Sequence, residues 1–280
     1  MKKWAIAAVI YLLLVIAGYS VYANVWEEEQ PTTSDHDNTH EEDTGEKNTH
    51  TSTHDENSHV HESAPVDNEI EVDVSYQEEK LQIKLQDEEG EPITDLQVNH
   101  EKIMHLIVVD NHLDQYFHLH PGEAGDGVFE VAAPLEEGSY KAFVDIKSES
   151  LSYSVVPKEF QVGEVEPEHS HPSLTPDTEL IQKVNGQEVS LDLQPSTLQV
   201  GEKVRLDFQV DTEGLEPYLG AMGHVVILDG KGEEFVHVHP SSDTETKFQT
   251  TFSEPGVYKI WAEFQHQGTV KVYPFVLEVK

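Results

Sequence analysis

Three imidazoles and a proline recur at one spacing in the two halves of this chain: His105, His118, His120 and Pro121, then His224, His237, His239 and Pro240. Each set reads His, twelve residues, His-x-His-Pro, and the offset between the sets is 119 residues. Asp110 and Asp229 keep that offset, and Tyr140-Lys-Ala-Phe143 answers Tyr258-Lys-Ile-Trp261 at 118. One domain is used twice, with its histidines at matched positions. Neutral imidazole is a common ligand for transition metals. The expected chemistry is therefore metal binding, with one three-histidine site in each copy.

Strand geometry explains why such a spacing suits a site. Side chains at i and i+2 of a strand share a face, about 6 to 7 Å apart, close enough for two rings to converge on one ion at roughly 2.0 Å per bond. A hairpin centred between His112 and Leu113 sets His105 opposite His120, and one centred between Lys231 and Gly232 sets His224 opposite His239. Phe117 and Leu119, like Val236 and Val238, then face the other way, into a core. Apart from the first residue there are two methionines, Met104 and Met222, each beside the first histidine of its set. Thioether with imidazole suits copper, Cu(I) in particular, while three nitrogens alone also suit zinc. Met222 lies two residues before His224 and should share its face, with Gly220 and Gly223 letting that strand bend toward the ion. Met104 is adjacent to His105 and should point into the core. Asp145 and Glu263 are matched acids that offer either an oxygen ligand or a solvated edge charge. His100, His112 and His266 lack counterparts and are set aside as ligands.

Composition narrows the class. The 280 residues hold 54 acidic side chains against 17 basic ones, for a net charge of -37, and no cysteine. Such a surface repels nucleic acid and attracts cations, and thiolate and disulfide chemistry are excluded. Lys2 and Lys3 precede an uncharged run from Trp4 to Trp26, and Glu27 to Glu29 follow it. That pattern sets the N-terminus inside and the rest of the chain outside the cytoplasm. Two readings stand: residues 1–26 are an uncleaved, single-pass membrane anchor, or a signal removed near Ala23.

Residues 27–65 form a polar, acidic tether with no apolar periodicity, expected to be disordered. It carries His36, His40, His50, His54, His59 and His61, which suit loose metal loading or a plain solvated spacer. From Ile70 onward, alternating segments and turn signals predict about seven short strands in each of two domains, 66–164 and 187–280. The fold class is all-β, two tandem immunoglobulin-like sandwiches. The connector, 165–186, holds His169, His171 and three prolines, with a turn at 178–183.

Pro217-Tyr-Leu-Gly-Ala-Met-Gly-His224, Phe235-Val-His-Val-His-Pro240 and Tyr258-Lys-Ile-Trp-Ala-Glu-Phe264 resemble the YtkA-like domain family over roughly 187–280. The first copy is a diverged version, with Asn99-His-Glu-Lys-Ile-Met-His105 in place of the glycine-rich segment. The resemblance implies a small exported sandwich, found near copper-handling proteins and loosely similar to CopC-type carriers. The expected function is extracytoplasmic copper buffering or delivery, with a membrane copper transporter or a copper-receiving protein as partner. The alternatives are an envelope interaction module without metal, and a zinc-dependent hydrolase. The hydrolase lacks an obvious general base in the sequence near either triad.

Overall fold

The computed structural model describes residues 68–164, 174–236 and 238–280. The N-terminal run, the tether, His169, His171 and His237 lie outside the described residues. Among the described residues no helix is long and apolar enough to cross a membrane.

The described chain is all-β, as expected. The first copy runs β1 (Glu71–Gln77), β2 (Lys80–Gln86), β3 (Met104–Asp110), β4 (Tyr116–Leu119), β5 (Gly122–Gly125), β6 (Val128–Ala132), β7 (Gly138–Ile146) and β8 (Lys158–Val162). The sheet β1-β2-β6-β5 faces the sheet β4-β3-β7-β8 across one apolar core. β2 shows why: Leu81, Ile83 and Leu85 are buried, while the lysines and glutamines between them meet solvent.

The second copy adds β9 (Ile181–Val184), β10 (Gln187–Gln194), β11 (Lys203–Val210), β12 (Leu215–Glu216), β13 (His224–Asp229), β14 (Phe235–Val236), β15 (His239–Pro240), β16 (Lys247–Thr251), β17 (Gly256–His266) and β18 (Thr269–Val279). The sheet β15-β16-β11-β10-β9 faces β12-β17-β13-β14, with β18 paired to β17. The segment expected as a turn at the end of the connector is instead β9, hydrogen-bonded to β10. The second sandwich therefore begins before residue 187.

Two strands depart from the half-buried pattern. β3 is buried along both faces up to Val109, and β13 is buried from Val225 to Leu228. Leu106 and Val108 enter the first core, and Val225 and Ile227 the second. The residues between them point outward from both sandwiches and meet each other. Ile107, Val109, Leu113 and Phe143 of the first copy pack with Val226, Leu228 and Trp261 of the second, in a third apolar cluster. Tyr116 stacks on Trp261 at 4.8 Å and 14°, and Phe143 lies 6.0 Å from Phe235. These are matched pairs, since Tyr116 corresponds to Phe235 and Phe143 to Trp261. The copies dock through equivalent patches, as the two halves of a symmetric dimer do.

Candidate metal centre

Strand parity carries the histidines onto that shared face. His105 lies on β3 in step with Ile107 and Val109, His118 on β4 in step with Tyr116, and His224 on β13 in step with Val226. The expected registers hold. Ile107 pairs with His118 and Leu106 with Leu119, which continues to His105 opposite His120; Ile227 pairs with Val236 on the same arithmetic. Across the other edge of each strand, His105 pairs with Asp145 and His224 with Glu263.

Among the described residues, the first copy's triad comes together and His224 of the second copy joins it, because the faces bearing them are buried against each other. The His105 and His224 rings, equivalent in the repeat, stack at 5.6 Å and 7°. His118 lies 4.8 Å from both His120 and His224, centre to centre. Two groups of donor atoms, each within 4.8 Å, share His118: one is His105, His118 and His120, and the other His118, His224 and Glu263. The second copy's own triad is not assembled in the described residues. After Val236 the strand leaves its sheet, and His239 pairs with Gln249 on the opposite sheet, exposed to solvent.

The hydrogen bonds decide which nitrogens hold protons. His105 Nε2 lies 2.9 Å from the Asn99 carbonyl oxygen, which can only accept, so this nitrogen carries the hydrogen. His118 Nδ1 donates to Glu263 Oε2 at 2.7 Å, both side chains almost wholly buried. When each ring is neutral, its other nitrogen holds a lone pair. Those two lone pairs, on His105 Nδ1 and His118 Nε2, face each other at 2.9 Å. The Nε2 of His120 is buried without a hydrogen-bond partner. Two acceptors at that distance repel unless a cation lies between them.

A shared hydrogen or a metal ion would satisfy both nitrogens, and a proton on the other rings is disfavoured. Burial pushes the His105 pKa down to about 4, against an upward pull from the Asn99 carbonyl, with His118 and His100 adding lesser downward pushes. Burial, then His118 and His105, pushes His120 down to about 3. His224 is held well below the usual range by burial and by the same rings. A metal ion bonded at roughly 2.0–2.1 Å draws ligand atoms to roughly 3 Å from one another. The spacing of His105 and His118 fits that.

The other expected ligands fall differently. Met104 is buried in the first core, as its parity predicted. Met222 lines an open groove with Asp207, Phe208 and Val210 and with Thr244 to Lys247, and no histidine borders that groove. The expectation that it shares a face with His224 is corrected, because regular strand begins only at His224. Before it the backbone closes a tight bridge between Tyr218 and Ala221, and parity does not carry through. Gly223 is there for close approach: a Cβ would stand 2.5 Å from the Phe264 ring and 2.9 Å from the Glu263 carbonyl. Glu263 is no edge charge but is buried against His118. Asp145 is half-buried, its pKa raised to about 6 by burial. His100, set aside in the sequence, lies 6.1 Å from the His105 ring and 5.9 Å from that of His224.

One family matches the chain, described as "Domain of unknown function (DUF8832)", over residues 66–166 and again over 182–280. No curated protein matches. Among solved structures the chain is similar to a two-domain fibronectin type-III segment of chicken tenascin, at 10% identity and a TM-score of 0.24, covering 76% of this chain and 99% of that one. It is similar also to FdeC, an Escherichia coli adhesin, at 15% identity and 0.23, covering 76% and 64%. A third is the chicken interferon gamma receptor alpha chain, at 11% and 0.23, covering 75% and 96%. Likenesses this distant say nothing about the site.

Proposed function

We propose that this chain, which belongs to the DUF8832 family in two copies, binds one divalent transition metal ion between its sandwiches, through His105, His118 and His120. The observation that carries the reading is the 2.9 Å approach of His105 Nδ1 to His118 Nε2, with the unpartnered His120 Nε2 beside them. Glu263 acts through His118: it accepts the Nδ1 hydrogen, fixes the tautomer and makes Nε2 the better donor.

The donor set speaks to the metal. With Met104 in a core and Met222 in another groove, no thioether supports Cu(I). Imidazole nitrogens favour Cu(II) over the other first-row divalent ions, with Zn(II) the competitor. The reading is reversible coordination, copper buffering or delivery outside the cytoplasm, with the His-rich tether loading metal and a membrane copper protein as partner. The net charge of -37 and the resemblance to the YtkA-like family support it. Glu263 is occupied by His118, so it does not stand ready as the general base that a hydrolase needs.

Titration of the full-length apoprotein with Cu2+, with bound metal measured after gel filtration, tests the proposal. The wild type should hold a tight ion that His118→Ala loses by at least about 100-fold in affinity, leaving only weak binding by the tether. Equal tight binding by His118→Ala defeats it.

A further inference from the structure

Two of the three ligands of the centre are closed to solvent. His105 is 2% exposed and the His118 side chain 1%, so an ion needs a way in, and an entry path is part of any working metal site. At the rim stands the turn from Asn99 to Lys102, closed by backbone hydrogen bonds in both directions between those two residues. Its two central residues, His100 and Glu101, take φ of 47° and 67°. That left-handed pair belongs to turns that favour Asn and Gly. Neither is present here, and strain of this kind persists where surrounding structure enforces it, often for function. The turn is tied to the centre, because the Asn99 carbonyl accepts from His105. It also abuts the second copy, where a Cβ on Gly220 would meet Glu101 at 3.7 Å.

The strained conformation holds His100 half-buried, its ring edge-on to both His105 and His224. His100 is in neither of the two close donor groups, so it stands one step outside them.

Resting on the metal-binding reading, we propose that His100 is the entry station of the centre. An incoming divalent ion binds the rim imidazole and passes inward by ligand exchange. Each step forms a bond to a nitrogen of the centre as the one to His100 breaks, and the charge of the metal does not change. The acidic surface and the tether concentrate the ion; the rim imidazole selects for an imidazole-binding one.

Rates and affinity together test this, because a residue on the path alone alters entry and exit equally. His100→Asn removes the imidazole and keeps a residue that accepts the left-handed turn. With full-length protein, Cu2+ loading by stopped flow and release into excess EDTA should both slow by on the order of tenfold, with Kd unchanged. The tether is identical in every variant, so the differences report the rim. Unchanged rates, or a weaker Kd with loading unchanged, overturn the entry role while the centre stands. A wild type with no tight Cu2+ overturns the metal-binding reading itself, and the entry role with it.

Discussion

At the scale of residues, burial disfavours the charged forms of His105, His120 and His224. His105 and His120 titrate near 4 and 3 in the folded chain, against about 6.5 when unfolded. Between those values the unfolded chain binds more protons, so stability rises with pH. The contribution is complete above about 6.5 and is lost as pH falls through 6 toward 4. His224, lowered for the same reason, acts in the same direction. Asp145 opposes them, because its pKa is raised to about 6 and the folded chain gains stability as that group protonates. One acid does not offset three histidines. The apoprotein should therefore lose denaturant stability steadily from pH 7 to 5, and saturating Cu2+ should raise stability above that of the apoprotein at pH 7. Urea melts at several pH values check this; a flat profile contradicts the neutral-imidazole account.

At the scale of elements, much was legible because it followed from counting. Period two placed the long strands, and the two hairpin centres yielded the registers now seen as Ile107 with His118 and Ile227 with Val236. Parity also placed Met104 in the core. Counting failed where the backbone is irregular, at the 218–223 bridge that moves Met222 away and at the switch of sheets that carries His239 off. The interface has its own mark in the sequence. Leu106 to Val109 and Val225 to Leu228 are unbroken apolar runs, which mark strands covered on both faces. A site face next to such a run is an interface. Met222→Leu and Met104→Leu should each cost under about 1.5 kcal/mol and leave Cu2+ affinity unaltered. A selective loss of copper from Met222→Leu would return the thioether to the centre.

At the scale of the whole molecule, duplication has made an internal dimer. Equivalent patches dock, and the equivalent His105 and His224 stack at the junction. No count along a single chain reveals that two matched faces bury each other. The apolar contact should govern both stability and metal retention. Trp261, 2% exposed and stacked on Tyr116, is its largest member. Trp261→Ala should cost about 3–5 kcal/mol in chemical denaturation and speed copper release, because Glu263 is two residues along the same strand. A cost below about 1 kcal/mol would mean that the junction is not a packed interface.

The central claim is that two histidine triads in sequence make one centre in the folded chain. The most direct test is the number of tightly held copper ions per full-length chain, by elemental analysis after equilibration with excess Cu2+ and removal of weakly bound metal. One ion per chain is expected, lost with His118→Ala and retained with His239→Ala. Two ions per chain, lost one at a time by the same substitutions, would mean that each sandwich carries its own site and that the shared centre is wrong.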